Sequence, residues 1–118
     1  MEMDKRTRKA VLRVLTAARA RIEKGWTVGA QARTANGELV APRSKEAVRW
    51  CATGAVFAVK SSIGVRQRAI AELARSIKHP VSASHPDTQV TYANDRWRSK
   101  ARVLALFDRT IRRLEEAA

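Results

Sequence analysis

The chain has 118 residues, of which 45% are hydrophobic, enough for one domain with a modest core and too many for a long disordered chain. One cysteine excludes a disulfide scaffold and fits a reducing, cytoplasmic compartment. The 24 Lys and Arg against 11 Asp and Glu give a net charge of +13, which favours an anionic partner, most commonly nucleic acid. We expect one domain over residues 1–118 with no secretory signal. We also expect no membrane span, because the longest apolar run, residues 50–59, is far shorter than about 20 residues.

The first predicted element is a helix over residues 4–24. Asp4 suits its N-cap, and Gly25 suits a left-handed stop at its end. The apolar residues that share one face of this helix are Val11, Leu12, Val14, Leu15, Ala18 and Ile22. The basic residues of the opposite face include Arg6, Lys9, Arg13 and Lys24.

A small hairpin is predicted next. Asn36 and Gly37 form the pair whose positive φ angles suit a two-residue turn. The flanking residues 31–35 and 38–41 are short and alternate poorly, so we expect the hairpin to be irregular.

The second predicted helix begins at Ser44, a good N-cap, and runs to about residue 59. From residue 47 onwards it is apolar nearly all round, which is typical of a central, buried helix. Cys51 lies on its inward face. Gly54 lies inside it at a cost of about 1 kcal/mol, which indicates close approach of another backbone.

Two further helices are predicted. The third covers residues 65–78, ends at His79 and Pro80, and precedes a polar loop over residues 81–92. The last begins at Asn94 or Asp95 as its cap and runs to about residue 114. The predicted fold is therefore a compact, mostly all-α domain of four helices with one minor β-hairpin and helix 2 at its centre.

The order of certain residues resembles a known family. The pattern is Gly-Trp-Thr-x-Gly from Gly25, Glu-Ala-Val-x-Trp-Cys-x-x-Gly-Ala from Glu46, and Asn-Asp at Asn94. It is similar to that of a family of short bacterial and phage-encoded proteins of unknown function. The resemblance implies a compact, mostly helical domain and implies no activity, cofactor or partner.

Catalytic chemistry has little support in the sequence. Cys51 could act as a nucleophile with His79 or His85 as base and Asn94 or Asp95 as orienting group. Its apolar surroundings favour the alternative, a buried structural thiol. No metal-ligand spacing or phosphate-binding loop is present, so we expect no metal, no cofactor and no enzymatic activity.

The strongest signal for binding lies in the last predicted helix. Between residues 96 and 113 there are seven basic residues and one acid, Asp108. The basic residues on or beside one face are Arg98, Arg102, Arg109, Arg112 and Arg113. This row is about 22 Å long at 1.5 Å per residue and could follow several phosphates, although a solvated face without a ligand is the alternative.

Two other arrangements bear on nucleic-acid binding. Trp26 and Trp50 are expected in the core, whereas Trp97, between two arginines, could stack on a base. Helices 2 and 3 could form a helix-turn-helix with residues 66–68 at the start of the recognition helix, but helix 2 is too apolar to cross a phosphate backbone.

The sequence thus predicts a non-enzymatic, cytoplasmic accessory protein that binds nucleic acid, DNA or RNA, through backbone phosphates. The arginine row of the last helix would bind, aided by Arg6, Lys9 and Arg13 of the first. The alternative is a protein-binding adaptor or inhibitor, as a phage-associated family could encode. Its basic face would dock on an acidic or nucleic-acid-handling partner.

Overall fold

The computed structural model describes residues 3–78 and 85–117. Over these residues the chain is mostly helical, with five helices and a two-stranded antiparallel sheet rather than the four helices predicted. The elements in chain order are α1 (Lys5–Lys24), β1 (Ala32–Arg33), β2 (Arg49–Trp50), α2 (Ala52–Ala58), α3 (Ile63–Arg75), α4 (Pro86–Trp97) and α5 (Lys100–Glu116). None of the helices in the described ranges has the length and hydrophobicity needed to cross a membrane.

Helix α1 agrees with its predicted bounds and apolar face. Asp4 caps it by accepting a hydrogen bond from the Thr7 backbone N at 2.7 Å. The predicted left-handed stop at Gly25 is wrong, because this residue is extended, with φ of −168°. A Cβ at Gly25 would collide with the backbone oxygen of Val48, so the glycine permits a close approach of two backbone segments.

A turn is present at the predicted place, but it is not the predicted two-residue turn, because only Gly37 of the Asn36–Gly37 pair has a positive φ, and the strand pairing also differs. The backbone N of Gly37 donates to the carbonyl of Thr34 at 2.9 Å, and Gly37 has φ of +88°. Across this turn the segments pair as an isolated bridge between Arg33 and Leu39, with backbone hydrogen bonds from Thr34 N to the carbonyl of Glu38 at 2.9 Å and from Val40 N to that of Ala32 at 3.2 Å. The regular antiparallel partner of β1 is β2, whose residues were predicted to be helical.

Helix α2 is shorter than predicted. Residues 44–50 are not helical, and α2 begins at Ala52 with Cys51 as its N-cap. Cys51 Sγ accepts a hydrogen bond from the Gly54 backbone N at 3.3 Å. The predicted burial of this helix is confirmed, and it packs against α1, α3 and α4. The close approach at Gly54 is also confirmed, since a Cβ there would collide with the backbone of Gln31.

The C-terminal half departs most from the prediction. Residues 86–92, predicted as loop, form the first half of α4, whose first residue is Pro86. Asn94 and Asp95 therefore lie inside α4 and do not cap a helix. Arg98 ends α4 in the left-handed conformation, and Ser99 caps α5. The predicted helix stop at His79 and Pro80 lies outside the described residues.

Asn94 joins three segments at the centre of the molecule. Its side chain is 1% exposed, and its Oδ1 accepts from the backbone N of Ala52 at 3.0 Å and from Trp26 Nε1 at 2.8 Å. Its Nδ2 donates to the carbonyl of Thr27 at 3.1 Å. The neighbouring Asp95 accepts from the backbone N of Gly29 at 3.0 Å. These contacts fix α4 against the start of α2 and the segment that follows α1.

Candidate nucleic-acid interface

The predicted arginine row does not lie on one solvent-facing side of one helix. Arg98 lies in the turn between α4 and α5, and its φ of 49° breaks the continuous helix that would have placed it on the same face as the arginines of α5. Arg102 and Arg112 are exposed on α5, whereas Arg109 and Arg113 are only partly exposed. The prediction that Arg98 shares one continuous helix face with the arginines of α5 is therefore wrong.

Arg109 and Arg113 dock on the C-terminal end of α3. Arg109 Nη2 donates to the carbonyl of Ser76 at 3.2 Å. Arg113 Nη2 donates to the carbonyl of Glu72 at 2.8 Å and to Ser76 Oγ at 3.1 Å. The last carbonyls of a helix carry the negative end of its dipole, so these guanidinium groups complement the end of α3.

Near the C-terminal end of α3, the buried carboxylate of Glu72 lies close to three arginine side chains. Glu72 is 1% exposed, and its carboxylate accepts from Arg113 Nη1 at 2.8 Å and from Arg68 Nε at 3.1 Å. Arg75 Nη1 lies 3.5 Å away. Burial alone raises the pKa of Glu72, but the hydrogen bonds from Arg113 and Arg68 outweigh it and hold the pKa below its usual value. One negative charge therefore faces three positive ones.

Three depressions lie next to one another on this side of the molecule, and we call them together the basic track. The depression between α4 and α5 shares Lys78 and Arg109 with a second one, which shares Arg75 and Arg113 with a third near the start of α1. Two acidic side chains, Glu72 and Glu116, are among the described lining residues. The basic track is defined by nine basic lining residues: Arg8, Arg68, Arg75, Lys78, Arg96, Arg102, Arg109, Arg112 and Arg113.

The first of these depressions, the α4–α5 groove, has a volume of about 640 Å³. Its described lining residues are Ile77, Lys78, Gln89, Tyr92, Ala93, Arg96, Trp97, Arg102, Ala105 and Arg109, none of which is acidic. The guanidinium of Arg102 lies 4.7 Å from the centroid of the Trp97 ring. Arg96 Nη1 donates to the Tyr92 hydroxyl at 2.9 Å. Cations and aromatic rings are thus held together in one recess.

The predicted residues separate into two groups. Those that line the basic track are Trp97, Arg102, Arg109, Arg112 and Arg113. Those that are exposed elsewhere, and are not among its lining residues, are Arg98, Arg6, Lys9 and Arg13. Asp108, the acid within the predicted arginine row, pairs with Arg19 of α1 at 2.6 Å. Its negative charge is therefore used to hold α1 against α5.

Sequence reasoning missed much of the groove because it predicted α4 as a loop. Gln89, Tyr92, Ala93 and Arg96 follow the i, i+3, i+4, i+7 spacing of one helix face. Pro86 as the first residue of a helix would have been the signal for placing that face. Lys78 and Arg75 come from the end of α3, and only the packing of α3 against α5 brings them to the track.

The structure brings Asn94 and Asp95 close to Cys51, but it does not leave the Cys51 thiol placed as a reactive group. Cys51 is 1% exposed, and burial raises the pKa of its thiol, which disfavours the reactive thiolate. The polar atoms of Asn94 are engaged by Trp26, Ala52 and Thr27. His79 lies outside the described residues. Across residues 3–78 and 85–117, no three His, Cys, Asp or Glu side chains are grouped so that they could hold a metal ion.

The helix-turn-helix alternative is not favoured by the geometry. Helix α2 has seven residues, nearly all buried, and presents no face for a phosphate backbone. Arg66, predicted at the start of a recognition helix, turns back to donate to the carbonyls of Val59 at 3.2 Å and Ser61 at 2.7 Å. Its guanidinium therefore caps the end of α2.

The chain belongs to a family of unknown function, DUF6197, whose family model matches residues 6–113. The match includes all five helices except the ends of α1 and α5, and it assigns no activity or ligand. No curated protein and no solved structure matches the chain.

Proposed function

For this member of a family of unknown function, we propose that the chain is a cytoplasmic, non-enzymatic accessory protein that binds nucleic acid along the basic track. The observation that carries the proposal is that nine basic side chains line three neighbouring depressions, each of which shares lining residues with the next. Two acidic side chains also line the track, and one of them, Glu72, is buried and paired with arginines. The track therefore retains a large positive surplus that faces solvent.

The arrangement favours contacts with phosphates over reading of base edges. Arginine forks bind phosphate oxygens in two-point contacts, and such contacts position a nucleic acid without carrying sequence information. Several of these guanidinium groups are held in place by protein partners, as Arg113 is by Glu72 and Arg102 by Trp97. Ordered side chains lose less entropy on binding than a disordered basic tail would.

The salt dependence of binding tests the proposal. The α4–α5 groove carries four basic side chains, Lys78, Arg96, Arg102 and Arg109. If these four cations and no others of the track each neutralise one phosphate, log K should fall against log salt with a slope of about −2.8 for single strands and about −3.6 for duplex. Affinity for a single strand should then fall about 50-fold between about 50 and 200 mM salt. Fluorescence anisotropy with unrelated DNA and RNA oligomers measures this slope.

A matched pair of variants locates the interface. Arg96→Glu with Arg102→Glu changes two exposed side chains of the groove. Lys9→Glu with Arg13→Glu makes the same change in net charge on the exposed face of α1. The groove variant should reduce the single-strand slope to about −1.4, whereas the α1 variant should leave the slope unchanged. Equal losses in both variants would show that net charge alone, and not the track, determines binding.

Absence of binding to every oligomer at micromolar protein and low salt would refute the proposal. The basic track would then be a solvated surface or the docking face of an adaptor or inhibitor for an acidic protein. Arg109 and Arg113 are unsuitable for this test, because both also hold the end of α3 and their loss would disturb the fold.

A further inference from the structure

The α4–α5 groove differs from the rest of the basic track because it contains aromatic rings. Tyr92 is 43% exposed, although it is a large side chain, and it lines the groove wall formed by α4. Trp97 stands at the corner between the two helices. The lining residues described for the other two depressions include no aromatic side chain. A surface that contacts only phosphates has no need of an exposed aromatic ring.

The charges of the groove lie near its two ends. Arg96 and Arg102 flank the corner at Trp97, and Arg109 reaches the end of α3 beside Lys78. Arg102 and Arg109 are seven positions apart in α5, which is about 10 Å along the helix. At about 3.4 Å per stacked nucleotide, that distance corresponds to about three nucleotides of one strand.

Small side chains leave room between these ends. Ala93 of α4 and Ala105 of α5 line the groove between its charged ends. They present little bulk, so the recess can admit a flat ring beside Tyr92. The guanidinium of Arg102, which lies over the Trp97 ring, offers a second planar surface in the same recess. Unpaired bases stack on aromatic rings and on arginine planes in this manner.

The concave shape of the site argues against duplex as the preferred ligand. Proteins that read duplex DNA insert a protruding helix or ribbon into its groove. Here the aromatic ring lies on the wall of a recess between two helices. A duplex keeps its bases stacked inside, so its outer phosphates could reach the groove rims while Tyr92 met no base.

We propose that the α4–α5 groove selects single-stranded nucleic acid, with a base stacked on Tyr92 and the neighbouring phosphates bound by the cations at the two ends. This inference rests on the proposed nucleic-acid binding and specifies its ligand class. The ring of Tyr92 is the specificity-determining group. Arg96 donates a hydrogen bond to its hydroxyl and lies over one side of the ring, 5.8 Å from the ring centroid, so the base stacks on the other side.

The test compares three ligands and two variants of the full chain. The ligands are a labelled oligothymidylate of about 12 nucleotides, a duplex of the same length, and thymidine monophosphate as competitor. Tyr92→Ala should weaken single-strand binding about 5- to 150-fold, the effect of losing one base–aromatic stack, and leave duplex binding unchanged. Tyr92→Phe keeps the ring and should bind the single strand nearly as well as the original chain.

The possible failures are distinguishable. If no oligomer binds, both the proposed function and this inference are refuted. If duplex binds as tightly as single strand, or Tyr92→Ala lowers both affinities equally, the inference is refuted while the proposed function stands. Competition by the mononucleotide at concentrations equal to those of the oligomer would also refute it, because the groove would then be a nucleotide pocket and not a strand site.

Discussion

Replacing Glu72 by glutamine should destabilise the protein without removing its secondary structure. The carboxylate is 1% exposed and accepts from Arg113 at 2.8 Å and from Arg68 at 3.1 Å. An amide of the same size retains one oxygen acceptor but turns an NH₂ group toward a guanidinium donor. The variant therefore loses a charge-assisted hydrogen bond and leaves arginine charge without its counterion.

The size of the effect follows from the exposure of the partners. Breaking a buried ion pair costs about 3–5 kcal/mol. The side chains of Arg68, Arg75 and Arg113 are 32%, 66% and 37% exposed, so water compensates part of the loss. We expect about 2–3 kcal/mol, which for a domain of this size lowers Tm by roughly 10 °C. Glu46→Gln, an exposed carboxylate in a loop, is the matched control and should change Tm little.

The pH dependence tests the cause. Burial acts to raise the pKa of Glu72 in the folded chain, but the hydrogen bonds from Arg113 and Arg68 outweigh it and lower the pKa from its usual value of 4.5. Its contribution to stability is present above pH 4.5 and is lost as pH falls through the folded pKa. Thermal melts should therefore show a gap between the original chain and Glu72→Gln that is largest near neutral pH and narrows in acid. A difference in Tm that stays constant with pH would refute the reasoning. So would a Tm of Glu72→Gln at neutral pH that lies within about 2 °C of that of the original chain.

Two further predictions concern Gly54 in α2 and Cys51 at its N-cap. In urea unfolding, Gly54→Ala should lower the free energy of unfolding by about 3 kcal/mol or more, because the added Cβ would collide with the backbone of Gln31. The control is Gly64→Ala, where nothing lies within 4 Å of the added Cβ, and it should be neutral or slightly stabilising. Native Cys51 should react slowly with iodoacetamide because it is buried, and Cys51→Ser should lose less stability than Cys51→Ala because serine keeps an N-cap acceptor. Rapid alkylation of the folded chain, or equal stability of the two cysteine variants, would contradict the assigned role of the thiol.

The elements with strong helical periodicity could be predicted from the sequence alone. Helix α1 has a clear apolar face, an aspartate cap and basic residues opposite its core face. Helix α5 likewise has a clear apolar face, on which Val103, Phe107 and Leu114 are buried. In both helices the apolar pattern is local and continuous, so the helix can be predicted without knowing which other segments pack against it.

The beginning of α2 could not be predicted in this way. Residues 47–50 are apolar enough for a buried helix, but their backbone groups pair with distant segments. Val48 N donates to the carbonyl of Arg33 at 2.9 Å, and Trp50 N donates to that of Gly25 at 3.1 Å. These non-local hydrogen bonds override the local preference for helix, and no periodicity in residues 44–60 records them.

Only part of the candidate site could be predicted from the sequence, because the rest also depends on non-local packing. The sequence identified Trp97, Arg102 and Arg109 as binding candidates, and all three line the α4–α5 groove. It did not identify Lys78 or Tyr92, because the wall opposite α5 is built by segments distant in sequence or predicted as loop. Helical wheels assign a residue to a face, but the packing of α3 decides whether an arginine on that face is free or docked.

The turn at Arg98 explains why a groove exists at this place. In one continuous helix, Tyr92 and Arg102 would lie about 15 Å apart along a straight rod, with no concave surface between them. The left-handed conformation at Arg98 ends α4, and Ser99 restarts the chain as α5 by accepting from the Arg102 backbone N at 3.2 Å. Such a conformation costs a non-glycine residue about 1–2 kcal/mol, which the packing of both helices must offset. The two helices then become facing walls, and Arg102 reaches the ring of Trp97 across the corner. A local backbone change thus converts the predicted surface row into a recess where a base and its phosphates could be bound together.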